Sequence, residues 1–138
     1  MRNIFRNEAF AFYGAKLEDQ VSSVSAENGE GELVVSLWGH RMLPFDGKAI
    51  RFADRVSRWP GPGEPEFRER IGRAYETGQV LRLVIARTDD EEAVEAGKDA
   101  SKLKNTFVVK PQLFGRVTHW DGDNYEVEFV EKEPRERH

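Results

Sequence analysis

The sequence predicts an α+β fold: a curved, mostly antiparallel sheet or partly open β-barrel, with one main helix over about 65–77 and a short acidic helix over about 89–96. β-prone runs of alternating hydrophobicity flank two turn signals, Asn28-Gly29-Glu30-Gly31 and Asp121-Gly122-Asp123. Phe67, Ile71, Ala74 and Tyr75 recur at helical spacing in a single stretch. VLRLVIAR, residues 80–87, is nearly continuously apolar, as a central strand should be.

Taken in order, NIFRNEAFAFYGAKL (3–17) has four aromatics on a mixed period and reads as a short helix or turn ending near Gly14. VSSVSAE (21–27) and ELVVSLWGHRM (32–42) form a hairpin around the Asn-Gly-Glu-Gly turn. In the second run Leu33, Val35 and Leu37 share one face, and Val34, Ser36, Trp38 and His40 the other. A proline-containing bend and an Asp46-Gly47 turn lead to a strand around Ala49–Phe52. Gly61-Pro62-Gly63 then breaks the chain. Pro65 suits a first helical turn, Glu64 and Glu66 complement the dipole, and Gly78 stops the helix. Thr88 and Glu91 have the spacing of a capping box for the acidic helix, which Gly97 ends. NTFVVK, LFGRVTHW and YEVEFV are further strands; in the last, Tyr125, Val127 and Phe129 alternate with Glu126 and Glu128, leaving one face wet. One domain is expected over 1–138, with its core at about 8–130 and a frayed tail over 131–138.

Composition narrows the function classes. Of 138 residues, 38% are hydrophobic and 33% charged, which describes a folded, highly charged domain and not a disordered chain. With no cysteine there is no disulfide, thiol chemistry or thiolate zinc site, and a cytoplasmic location is expected. No apolar run is long enough to cross a membrane, and the first residues have no secretory pattern. The net charge of −4 hides a segregated distribution. Residues 41–60 hold five basic side chains against two acidic ones, and residues 98–116 five against one; the acids gather at 89–92 and 126–136. Such segregation suits a polyanion on one side, or two ordinary solvated faces.

No catalytic constellation is legible. The three histidines show no metal spacing, and nucleophile-elbow and phosphate-loop patterns are absent. Adjacent acids at 89–92 point in different directions on a helix and cannot converge on an ion. The expectation is therefore a non-catalytic protein without metal or cofactor. Binding groups are better represented. Trp38, His40, Trp59, Asn105, His119 and Trp120 offer flat faces and base-edge partners; Arg41, Arg51, Arg55, Arg58, Lys102, Lys104 and Arg116 offer phosphate contacts. The proline-glycine turn would hold Trp59 rigidly at the mouth of an aromatic, basic pocket. The alternative is that each tryptophan simply fills the core, and that the histidines are structural.

SLWGHRM, DRVSRWPGPGEPEF, VLRLVIART, DASKLKNTF and GRVTHWDGDNYEVEF together resemble a small reader-like domain found alone or fused to HNH-type nucleases in bacterial modification-dependent restriction proteins. The resemblance spans residues of about 10–130. It implies recognition of a modified or flipped DNA base in an aromatic pocket, with a nuclease as possible partner protein. This chain has no HNH motif, so only the reader role would transfer. DNA binding is thus the first expectation. A small anionic or nucleotide-like ligand is the second, whether bound or acted on by an enzyme. A phage or bacterial defence component that meets a basic partner through its acidic surface is the third.

Overall fold

The strand with the continuous apolar run sits at the centre of the sheet, as its composition demands. The computed structural model describes residues 5–17, 23–43, 49–58, 63–96 and 105–131. Along them run α1 (Arg6–Phe12), β1 (Ser25–Glu27), β2 (Leu33–Trp38), a 3-10 turn (Gly39–Arg41), β3 (Ala49–Arg55), a second 3-10 turn (Val56–Arg58), α2 (Glu64–Thr77), β4 (Leu81–Thr88), α3 (Glu91–Glu95), β5 (Asn105–Val109), β6 (Leu113–Trp120) and β7 (Asn124–Glu131). The Asp46-Gly47 turn, Gly97 and the tail from 132 lie outside the described residues.

The seven strands form one sheet in the order β1-β2-β4-β6-β7-β3, with β5 also on β4. It is mostly antiparallel and does not close into a barrel, in keeping with the expected curved, open sheet. β2 and β4 are the parallel pair, in register from Leu33 opposite Leu81 to Trp38 opposite Ala86. β4 meets β5 along Val84–Thr88 but is in ladder register with β6 only where Leu81 faces Gly115. At Gly115 the chain has no room for a side chain: a Cβ there would lie 2.4 Å from the Phe129 ring and 2.8 Å from the Glu128 carbonyl oxygen. A register shift between Val117 and His119 bends β6 further.

Alternation along the strands gives the sheet two buried faces. Leu33, Val35, Leu37, Leu81, Leu83 and Ile85 meet Phe67, Ile71 and Ala74 of α2 on one side. Val34, Val84 and Ala86 meet Ala9 and Phe10 of α1 on the other. Each large apolar side chain fully buried this way contributes about 1.5–3 kcal/mol. Tyr75 departs from the expected stripe and is 44% exposed. Eight residues beyond Phe67, it has rotated to the stripe's edge. Gly72 lets α2 approach β6, since a Cβ there would stand 3.0 Å from Trp120 Nε1. Gly78, at φ +70°, ends α2 as expected.

α3 differs from expectation at its start. Asp90, not Thr88, is the N-cap: its carboxylate accepts from the Ala93 N–H at 3.0 Å, while the Thr88 hydroxyl oxygen accepts from the Asp90 N–H at 3.1 Å. Aspartate is the stronger N-cap, and the helix begins two residues later than the Thr-x-x-Glu spacing suggests. No helix among the described residues is long and apolar enough to cross a membrane.

Candidate functional site

β2 ends where Gly39 passes close to Ile85, and the 3-10 turn that follows projects His40 and Arg41 toward α3 and β3. His40 Nε2 lies 2.6 Å from Glu95 Oε2. Arg41 donates to Glu95 Oε1 at 3.0 Å and to the Ala53 carbonyl at 3.3 Å, and its Nη2 lies 3.3 Å from Asp54 Oδ1. Asp54 is on the buried side of β3, 8% exposed, and also accepts from the Arg55 N–H at 2.8 Å. Arg41 thus binds three elements together and neutralises a carboxylate that the strand pattern forces inward.

The β6–β7 hairpin supplies the facing wall. Asp121 accepts from the Asn124 side chain at 3.0 Å and from the N–H groups of Asn124 and Asp123 at 2.8 and 3.0 Å. These hydrogen bonds, the Asn124 side chain first, hold its carboxyl down to about 2. Asp123 anchors the hairpin from outside: it accepts from the Ser57 hydroxyl at 2.7 Å and the Ser57 N–H at 2.8 Å, which lower its own pKa. Arg68 of α2 donates to the Gly122 carbonyl beside it.

Between these walls opens a solvent-facing cleft of about 550 Å³, lined by Arg41, Ala53, Asp54, Arg55, Glu95, His119, Asp121, Asn124, Tyr125 and Glu126. Cross-strand pairing explains the grouping: Glu126 lies opposite both Ala53 on β3 and His119 on β6, and Arg55 lies opposite Asn124. Ala53 is the small residue that leaves the space. Among the described residues, no group of histidine, aspartate and glutamate could hold a metal ion.

Of the residues singled out from sequence, Arg41, Arg55 and His119 line this cleft, and His40 braces its wall through Glu95. The others are elsewhere. Trp38 is half-buried against the α1-side cluster, its ring 6.1 Å from that of His40, whereas Trp120 packs in the α2-side cluster beneath Gly72. The two indoles therefore belong to different clusters, and neither lines the cleft. Arg51 makes two contacts to Glu128, at 2.9 and 2.8 Å, and Arg116 donates to the Gly78 carbonyl at 3.0 Å, capping α2. Asn105 opens β5 opposite Thr88, away from the cleft. Trp59, Lys102 and Lys104 lie outside the described residues, as does the side chain of Arg58.

Asp54, Asp121 and Asn124 were not expected at a site, and Glu95 and Glu126 were expected only as part of an acidic surface for a basic partner, not of this cleft. Asp54 had a usable signal: it follows Ile50 and Phe52 on the inward side of a strand, where a carboxylate needs a partner. Glu95 had none, because its distance from Arg41 in sequence hides their contact.

No family model matches the chain, and no curated protein or solved structure does either.

Proposed function

We propose that this chain is a non-catalytic recognition module that seats a nucleotide-type ligand in the cleft, either a free nucleotide or one nucleotide of DNA, an extruded base included. One observation carries the reading. Arg55, His119 and Glu126 come from three strands into one polar cleft, where donors and an acceptor stand side by side around the small Ala53. A nucleobase edge presents the same alternation of acceptors and donors. Arg55, at the end of β3 and exposed, offers its guanidinium to a ligand in the cleft, whereas Arg51 and Arg116 are already engaged by Glu128 and the Gly78 carbonyl. Those engagements favour a single-nucleotide seat over a long basic track. The acidic-surface reading has less support, since Glu95 and Glu128 are themselves tied to arginines.

The test is thermal unfolding with mononucleotides, single strands and duplexes at two salt concentrations. A ligand at a hundred times its Kd raises stability by about 2.7 kcal/mol. If DNA is the ligand, affinity also falls with salt as counterions are released. Arg55→Ala should abolish the shift while leaving the unliganded melting temperature unchanged. Absence of a shift with every nucleotide and oligonucleotide would remove the proposal.

A further inference from the structure

Resting on that nucleotide reading, we infer that the cleft selects guanine. Most of its charges are used up internally. Arg41 is shared between Asp54 and Glu95, Glu95 also meets His40, and Asp121 is occupied by its own turn. Two ionic groups are left over. Among the described residues, neither the Arg55 guanidinium nor the Glu126 carboxylate has a hydrogen bond or close ion pair to another group, although the Arg55 charge is near enough to help lower the Asp123 pKa.

Their placement gives the ligand its polarity. Arg55 lies opposite Asn124, and Glu126 is two residues further along β7, so the two are diagonal neighbours on adjacent strands. Such positions are about 7–8 Å apart, wide enough for a planar ring to meet both groups. Ala53, directly opposite Glu126, keeps the space between them low.

Guanine matches this pair on both edges. Its O6 and N7 are adjacent acceptors for the guanidinium fork, and its N1–H and 2-amino group are adjacent donors for the two carboxylate oxygens. Adenine and cytosine offer the carboxylate one amino group beside an acceptor nitrogen. Thymine and uracil offer one N–H between two carbonyls, which repel it. Only guanine satisfies both charged groups at once.

The experiment is calorimetric titration of the whole chain with GMP, IMP, AMP, CMP and UMP, then with guanine-containing and guanine-free single strands and duplexes. GMP is expected to bind at least about tenfold more tightly than IMP, which lacks only the 2-amino group. Glu126→Gln should erase that difference, and Arg55→Ala should weaken GMP and IMP, which present O6 and N7 together, more than CMP and UMP. Preference for guanine strands over GMP would place the ligand in DNA, and the reverse would place it among free nucleotides; both outcomes support guanine selection. Equal binding of all five nucleotides would overturn guanine selection and leave the nucleotide seat intact. No binding of any nucleotide or strand would overturn the seat itself. The GMP–IMP comparison uses the unaltered protein, so it does not depend on either variant folding.

Discussion

Arg41→Ala tests whether one side chain joins the fold to the cleft. Arg41 contacts Glu95 of α3, the Ala53 carbonyl and Asp54, and its side chain is 33% exposed. Losing a hydrogen bond to a charged partner costs about 1.5–3 kcal/mol, and breaking a fully buried ion pair about 3–5 kcal/mol. Partial exposure of Arg41 and Glu95 screens the pair with α3, so the lower figure governs. The substitution should cost about 2 kcal/mol, nearly all of it through Asp54. In urea, with a slope of about 2 kcal/mol per M, the midpoint falls by about 1 M. Asp54→Asn in the same background removes the carboxylate charge that Arg41 faced and should recover part of the loss. The double-mutant cycle then gives a coupling of about 1 kcal/mol. Additive effects, to within about 0.3 kcal/mol, would refute the assignment of Arg41 as the counter-ion of Asp54.

Gly115→Ala should destabilise by about 1–3 kcal/mol or more, because its new methyl meets a buried ring and a backbone carbonyl; a melting temperature equal to that of the wild type would contradict the β6–β7 register. Asp90→Ala should cost about 1 kcal/mol by removing the α3 N-cap, measured by chemical unfolding. Asp121 has a folded pKa depressed to about 2 from an ordinary 3.8, so its stabilising effect is complete above pH 3.8 and is lost as pH falls through about 2. NMR titration should place its carboxyl midpoint near 2, and Asp121→Asn should flatten the acid limb of stability in that window. A midpoint near 3.8 would mean that the turn hydrogen bonds do not persist in solution.

Local patterns made much of the fold legible. The two faces of β2 follow from strict alternation, α2 from one apolar stripe with a proline near its start and a glycine at its end, and β6–β7 from a three-residue turn signal. The path of the sheet was not legible, because the parallel β2–β4 pairing joins residues that no local period connects. The site was only partly legible for a related reason. Neighbours in a strand point to opposite faces, so His119 turns toward the cleft while Trp120 turns toward α2. Closeness in sequence between an indole and a cation or imidazole therefore did not make a shared pocket. Arg41 and Arg55 reach the cleft because one leaves a strand end and the other finishes a strand.

The side-by-side placement of β2 and β4 also sets an order of assembly. Leu33 and Leu81 become neighbours only after the intervening chain has traversed β3 and α2, so this contact carries a large loop-closure entropy. The β6–β7 hairpin closes over a few residues and needs no such traverse. Pulsed hydrogen exchange during refolding should accordingly find amides of Val117 and Val127 protected before those of Val35 and Leu83, leaving the central strand among the last to be locked in place.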